Sequence, residues 1–180
     1  MSSERSGDGA VHLPVPPRCF EARTWGIIEE MDPLPLTDDV AAMAFVQASS
    51  LCNGLPASAL EQLFAGGVVL EAAPGVVLVR EGDTDDDLFM ILDGTVRVLK
   101  QRGDESVELA VLERPGIFGE TSAISGQPRT ASVVAAMDAR LIRIAGSAVR
   151  AAADSAPKLG RRLAALMAGR SRDTEAKTSA

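Results

Sequence analysis

A glutamate and an arginine, nine positions apart, carry the most informative chemistry in this 180-residue chain. Glu120 follows Gly119 and opens a short run of Thr, Ser, Ala and Ile that can form one or two helical turns. The start of a helix presents unpaired backbone N–H groups and the positive end of its dipole, and together these attract anions. Arg129 supplies a planar guanidinium suited to phosphate oxygens, and Pro128 restricts the backbone just before it.

Glu120 argues against a ligand that is only a phosphate, because its carboxylate would repel a phosphate bound beside it. The carboxylate fits a ligand that also carries hydroxyl groups, since acidic side chains accept hydrogen bonds from ribose. Gly119 has no side chain and lets such a ligand approach the backbone. Phosphate together with ribose indicates a nucleotide. The alternative is that Arg129 and Glu120 form a surface ion pair beside an ordinary turn, which would contribute little to stability.

The complete pattern is Phe-Gly-Glu at residues 118–120 followed by Pro-Arg-Thr-Ala-Ser-Val at residues 128–133. It resembles the phosphate-binding cassette of the cyclic nucleotide-binding domain family, found in the catabolite activator protein and in regulatory subunits of cyclic AMP-dependent protein kinase. The resemblance implies that Glu120 holds the ribose hydroxyl, that Arg129 pairs with the cyclic phosphate, and that nearby backbone amides complete the site. The ligand-binding residues implied in this way are Gly119, Glu120, Thr121, Ser122, Arg129, Thr130 and Ala131.

The middle of the chain is predicted to be mainly β-structure. Between residues 68 and 144 apolar side chains alternate with polar ones, and turn signals recur every eight to twelve residues. Asp93-Gly94 is predicted to be a hairpin turn. Glycines at 75, 82, 94 and 116 extend the resemblance to residues 51–170. It implies an eight-stranded jelly-roll β-roll, a double-stranded β-helix, with N-terminal helices and a C-terminal lid helix.

The expected domain organisation places the β-roll between helical segments. The first helix is expected to begin at Thr37, an N-cap residue followed by two aspartates. The expected segments are a Pro-rich, largely disordered tail at 1–36, N-terminal helices at 37–66, the β-roll at 67–145, hinge and lid helices at 146–172, and a disordered tail at 173–180.

The helix predicted from Pro157 carries an apolar stripe on one face and basic residues on the other. Ordinary amphipathic packing against the domain explains such a stripe. The resemblance implies instead that this helix moves over the bound base as a lid. The base-lid residues are then Leu163, Leu166 and Met167, while Lys158, Arg161, Arg162 and Arg170 form the other face.

An acidic run at Asp83, Asp85, Asp86 and Asp87 is the other concentration of charge. A calcium loop would need the EF-hand spacing and its closing glutamate, which the run lacks. The run is therefore predicted to be a solvated turn.

Composition excludes several function classes. A net charge of −7 and a pI near 4.8 argue against nonspecific binding to nucleic acids or anionic membranes. His12 is the single histidine, and Cys19 and Cys52 are too few and too far apart for a metal site or disulfide framework. No nucleophile–base pair can be assembled, so no catalytic residue, no metal and no enzyme activity is predicted. With no apolar signal core and no membrane-spanning run, the cytoplasm is the expected location.

The leading interpretation is a regulatory domain that senses a cyclic nucleotide and transmits binding through its C-terminal helix. Cyclic AMP is placed ahead of cyclic GMP, although Thr130 is compatible with both. One alternative is a scaffold with a degenerate pocket that binds a protein partner. Another is a fragment of a transcription regulator of the catabolite-activator type that lacks its DNA-binding domain, since only about ten polar residues follow the lid helix. The expected partners are the cyclic nucleotide and an effector protein or missing effector domain, and a homodimer through the C-terminal helix is considered.

Overall fold

Two antiparallel sheets pack against each other at the centre of the molecule. The structure, a computed structural model, describes residues 33–178, with side chains described up to residue 170. The first sheet has the order β1-β2-β9-β4-β7 and the second has the order β3-β8-β5-β6. The strands of the first sheet are β1 (Leu34–Pro35), β2 (Gly67–Ala72), β4 (Leu88–Asp93), β7 (Ile117–Phe118) and β9 (Ala139–Ile144). The strands of the second sheet are β3 (Val77–Val79), β5 (Thr95–Arg102), β6 (Glu105–Glu113) and β8 (Ser132–Ala135).

Strand β4 explains the uninterrupted apolar run in the sequence. It pairs with β9 on one side and with β7 on the other, and its residues from Leu88 to Leu92 are buried on both faces. The turn that follows β4 is not the predicted hairpin, because β4 and β5 belong to different sheets. Gly94 forms the corner between the sheets at a φ of 86°, where a Cβ atom would lie 2.2 Å from the carbonyl oxygen of Asp138. The dipeptide signals a tight turn but does not specify which strands it joins.

The helices pack together against the first sheet. They are α1 (Val40–Ala48), α2 (Ala57–Ala65), α3 (Glu120–Ser125), α4 (Gly146–Ser155) and α5 (Pro157–Thr178). The expected start of the first helix at Thr37 is wrong, because Thr37 lies inside a short 3₁₀ helix, Leu36–Asp38. Asp39 caps α1 instead, and its carboxylate accepts a hydrogen bond from the Ala42 amide at 2.9 Å.

Two apolar clusters form the core. One fills the space between the sheets, where the rings of Phe89 and Phe118 stack with centroids 4.8 Å apart. The other lies where the helices cover the first sheet, and it includes Leu63 of α2 and both Leu159 and Leu163 of α5. Helix α5 therefore begins as an integral part of the core.

The N-terminal boundary of the domain lies earlier than the sequence predicted. Strand β1 pairs with β2, and Leu36 is completely buried, although these residues were assigned to the tail ending at residue 36. The rest of that tail, residues 1–32, lies outside the described residues, as do the predictions made for it. At the other end, helix α5 continues to Thr178, beyond the expected end of the lid helix at residue 172.

The predicted fold class is confirmed. Eight strands, β2 to β9, form the β-roll in two sheets, with helices before and after it. The two-residue strand β1 extends the first sheet by one position. None of the helices in the described residues combines the length and the apolar character that a membrane span needs.

Candidate functional site

A cavity of about 220 Å³ lies beside helix α3, between the second sheet and the far part of α5. All seven ligand-binding residues predicted from the sequence line it, and their roles towards a ligand stay predictions. Apolar side chains from five strands form much of the remaining wall. The cavity is lined by Gly119, Glu120, Thr121, Ser122, Arg129, Thr130 and Ala131, together with Val79, Val98, Leu109, Phe118, Val133, Met167 and Arg170.

Position 119 requires a glycine for two reasons, its backbone conformation and the closeness of neighbouring atoms. It adopts a left-handed conformation with φ of 83° and precedes the first residue of α3. A Cβ atom at this position would lie 2.5 Å from the carbonyl oxygen of Asp87 and 2.6 Å from Nη1 of Arg129. The missing side chain therefore makes room for the guanidinium and leaves the start of α3 open to the cavity.

Arg129 is buried, with 4% of its surface exposed. Its Nε donates to Oδ2 of Asp85 at 2.9 Å, and its Nη2 donates to the same oxygen. Its Nη1 lies 3.4 Å from the carbonyl oxygen of Gly119, and the guanidinium carbon is 5.9 Å from the centroid of the Phe89 ring. The main chain is also fixed, because the Arg129 amide donates to the carbonyl of Asp83 at 2.8 Å. The cation is thus held at the cavity wall by groups of the protein itself.

Glu120 is buried as deeply, with 2% of its surface exposed. Its Oε2 accepts from Nη1 of Arg170 at 2.8 Å, and Nη2 of Arg170 donates to the carbonyl oxygen of Ile117. Arg170 was placed on the outer basic face of the helix, whereas it reaches the cavity from α5. The alternative of an exposed Arg129–Glu120 pair is wrong, because both side chains are buried and each is paired with a different residue.

The acidic run is only in part the predicted solvated turn, because Asp83 and Asp85 are exposed whereas Asp86 and Asp87 are partly buried. Asp85 pairs with Arg129, as described above, and Asp86 pairs with Arg150 of α4 at 2.7 Å. Asp87 lies 3.6 Å from Arg143, and burial raises the pKa of its carboxyl group. The loop between β3 and β4 therefore supplies counter-ions to three arginines from separate parts of the chain. The sequence contains no local signal for these pairs, because the partners are far apart in it.

Arg150 connects this loop to the helix of the cassette. In addition to its pair with Asp86, its Nη1 donates to the carbonyl oxygen of Ala123 in α3 at 2.8 Å. Helix α4 also begins against the loop, since a Cβ atom on Gly146 would lie 2.4 Å from the carbonyl oxygen of Asp86. Helices α3 and α4 are therefore joined directly beside the cavity.

The three predicted base-lid residues occupy different environments. Met167 lines the cavity, whereas Leu163 is completely buried in the core beneath the helices. Leu166 packs against that same core. In this structure, cover over the cavity from α5 therefore comes from Met167 and Arg170. The apolar wall formed by Val79, Val98, Leu109 and Val133 was not identified as part of the site, although inward-facing positions of alternating strands are its sequence signal.

The first half of α5 is fixed by the core and by hydrogen bonds. Nη1 of Arg162 donates to the carbonyl oxygens of Leu51 and Asn53 at 2.8 and 2.9 Å. Together with the buried Leu159 and Leu163, these bonds hold the helix against the loop between α1 and α2.

Metal binding has no geometric support in the described part of the chain. No group of three or more His, Cys, Asp or Glu side chains there is arranged to hold a metal ion. Cys52 is buried, and desolvation raises the pKa of its thiol, so it lacks the thiolate character of a reactive cysteine.

Comparison with known proteins identifies the region that contains this site. Residues 69–156 match the family model described as the cyclic nucleotide-binding domain. The chain is 36% identical over 112 residues to the Pycsar effector protein XpPycTIR of Xanthomonas perforans, an alignment that covers 61% of this chain and 35% of that protein. The chain thus spans about a third of the length of this relative.

Solved structures share the fold over a larger part of the chain. A cyclic nucleotide-binding domain from Methylobacillus flagellatus is 25% identical with a TM-score of 0.66, and the match covers 83% of this chain and 88% of that domain. The catabolite activator protein of Thermus thermophilus is 26% identical with a TM-score of 0.63, and the match covers 73% of this chain and 62% of that protein.

Proposed function

Residues 69–156 of this chain belong to the cyclic nucleotide-binding domain family, and from this premise we propose that the protein is a sensor of cyclic nucleotides with a preference for cyclic AMP. The observation that carries the proposal is the joint position of Glu120 and Arg129. Both are buried, and both line one cavity. A guanidinium for the cyclic phosphate and a carboxylate for the ribose hydroxyl satisfy the two polar parts of such a ligand.

The preference for cyclic AMP rests on the part of the cavity that would face the base. Its wall contains the apolar side chains of Val79, Val98 and Leu109, with Met167 opposite from α5. Guanine carries more hydrogen-bonding groups on its edge than adenine, and burying them against apolar side chains costs more. Thr130 is exposed and compatible with either base.

Helix α5 is the element proposed to transmit binding. Its first half is part of the core, while Met167 and Arg170 lie at the cavity. A ligand that contacts these two side chains can bind more tightly to one position of the helix than to another. It then shifts the equilibrium between the two positions by that difference in affinity. The receiver of this change is proposed to be an effector protein or an effector domain outside these 180 residues.

Calorimetric titration with cyclic AMP, cyclic GMP and linear 5′-AMP tests the proposal. We expect saturable binding of one molecule per chain, with cyclic AMP tighter than cyclic GMP. Linear AMP is expected to bind more weakly than cyclic AMP, because its extra negative charge and open phosphate do not match the site. Absence of binding by both cyclic nucleotides at millimolar concentration would contradict the proposal.

A scaffold with a pocket that needs no ligand is the second candidate. It is favoured by one observation, that Arg129 and Glu120 already have intramolecular ion partners in Asp85 and Arg170. The charged groups of such a pocket are paired without a nucleotide. The protein would then act through a protein partner. The titration separates the two candidates, since only the sensor binds a cyclic nucleotide.

The role of Glu120 has a separate test. If its carboxylate accepts from the ribose 2′-hydroxyl, wild-type protein should bind 2′-deoxy cyclic AMP about tenfold more weakly than cyclic AMP, the effect of one charge-assisted hydrogen bond. Glu120→Gln should discriminate less between the two ligands. The measured quantity is the double difference between ligand and variant, which cancels general damage to the cavity. A double difference near zero would assign Glu120 another role.

A further inference from the structure

Lys100 of β5 binds the backbone of the cassette without lining the cavity. Its Nζ donates to the carbonyl oxygen of Thr130 at 2.7 Å and to Oε1 of Glu81 at 2.6 Å. Thr130 and the next residue, Ala131, both line the cavity. The ammonium group therefore acts on the wall of the candidate site through one backbone carbonyl group.

Glu81, in the loop after β3, fixes the ammonium group of Lys100. Its Oε2 accepts from the amide of Gln101 at 2.9 Å, which leaves Oε1 for the lysine. The amide of Glu81 donates to Oγ of Ser132, the first residue of β8, at 2.9 Å. The side chains of Lys100 and Glu81 are 35% and 26% exposed, so the pair by itself contributes little to stability. What the pair does is connect three segments of the chain around Thr130.

The bond from Lys100 sets the direction of the next amide group. The peptide between Thr130 and Ala131 is trans, and its C=O and N–H groups point in opposite directions because a trans peptide is planar. With the carbonyl group directed at Lys100, the N–H of Ala131 points away from it. Within the described part of the chain, this amide donates to no other protein group. The charge on the carbonyl oxygen also polarises the peptide, which strengthens the N–H as a donor.

A polarised amide without a protein acceptor, one residue beyond the backbone carbonyl of Thr130 and two beyond Arg129, suits an anion at the cavity wall. We propose that Lys100 is a positioning residue of the anion site, which holds the Thr130 carbonyl so that the Ala131 amide is presented to the phosphate of a bound cyclic nucleotide. This inference rests on the proposed function and deepens it, because it adds a residue that acts on the phosphate without touching the ligand. The effect of Lys100 is therefore confined to the phosphate and does not extend to the ribose hydroxyl.

Titration of Lys100→Met with cyclic AMP tests the inference, since methionine keeps an unbranched stem and removes the charge and the donors. We expect binding about three- to tenfold weaker than that of the wild type, the effect of one misdirected hydrogen bond. Lys100→Arg should restore most of the affinity, because a guanidinium also donates to a carbonyl oxygen. Arg97→Met is the matched control, since Arg97 is a basic residue of the same strand that pairs with Glu108 and does not line the cavity. Equal binding by Lys100→Met and the wild type would overturn the inference.

Phosphorothioate analogues separate this positioning role from general damage to the fold. In the two diastereomers of cyclic AMP phosphorothioate, one or the other exocyclic phosphate oxygen is replaced by sulfur, a weak acceptor. The wild type should bind at least one diastereomer more weakly than cyclic AMP, and Lys100→Met should show a smaller difference for that diastereomer. The loss of affinity on removing the 2′-hydroxyl should be the same in both proteins. A variant that weakens all ligands by one common factor would have a structural role only and would contradict the inference.

Nuclear magnetic resonance gives a readout in the protein without ligand. The amide signal of Ala131 should shift in Lys100→Met, because the carbonyl group of the same peptide loses its charged donor. Arg97→Met should leave that signal in place, and an unchanged signal in Lys100→Met would overturn the inference. Failure of the proposed function is recognised separately. A wild type that binds neither cyclic nucleotide overturns both proposals, whereas a wild type that binds cyclic AMP no better than Lys100→Met overturns this inference alone.

Discussion

Arg129→Ala is expected to weaken binding of cyclic AMP about ten- to hundredfold. The substitution removes a buried guanidinium from the cavity wall, where its orientation is fixed by Asp85 and by the backbone of the cassette. Charge-assisted hydrogen bonds of this kind contribute roughly 1.5–3 kcal/mol each. Asp85 left without its partner costs little, because 45% of its side chain is exposed and water can solvate it.

Titration of the variant against the wild type measures this effect, with circular dichroism to verify the fold. Arg129→Lys should recover only part of the affinity, since one ammonium group cannot reproduce the planar fork. Arg97→Ala is the matched control, because Arg97 pairs with Glu108 and does not line the cavity. Equal affinity of Arg129→Ala and wild type, with both folded, would remove Arg129 from the ligand site.

The cassette could be predicted from the sequence because its chemistry is local. Gly119, Glu120 and Arg129 lie within eleven residues, and each of their side-chain requirements can be stated from residue type alone. The structure brings these residues to one cavity, together with Thr121, Ser122, Thr130 and Ala131. Most strands were also predictable, since alternation with period two directly reports which side chains face the core.

The charge partners in the site could not be predicted in the same way. Asp85 is 44 positions from Arg129 and Arg170 is 50 positions from Glu120, so only the folded chain places them together. The acidic run has the composition of a solvated turn, and its ion pairs depend on arginines from a distant loop, a strand and a helix. A sequence pattern gives the type of a charge but not the identity of its partner.

The apolar stripe of α5 shows a second limit of prediction from sequence. Leu159, Leu163, Leu166 and Met167 share one face of α5, and helical spacing does not tell which neighbour each turn contacts. In the structure the first turns of this stripe enter the core and Met167 meets the cavity. The burial of Leu36 could not be predicted either. The prolines around it suggest a tail, but its side chain is completely buried.

Leu163→Ala is therefore expected to act on stability, whereas Met167→Ala is expected to act on binding. Leu163 is completely buried in the apolar cluster beneath the helices, so its truncation leaves a cavity in the core. Leucine-to-alanine changes at such sites lower the free energy of unfolding by about 2–5 kcal/mol. Met167 lies at the edge of the ligand cavity and is only partly buried, so its truncation should cost about 1 kcal/mol or less.

Chemical denaturation of the two variants and the wild type measures the first effect, and titration with cyclic AMP measures the second. Met167→Ala should unfold close to the wild type and bind several-fold more weakly, because part of the base loses apolar cover worth about 25 cal/mol per Å². Leu163→Ala should unfold at a clearly lower denaturant concentration, and its folded fraction should bind with affinity near that of the wild type. The reverse assignment, with Leu163→Ala stable but deficient in binding, would mean that this leucine covers the ligand and that the first half of α5 leaves the core when the lid closes.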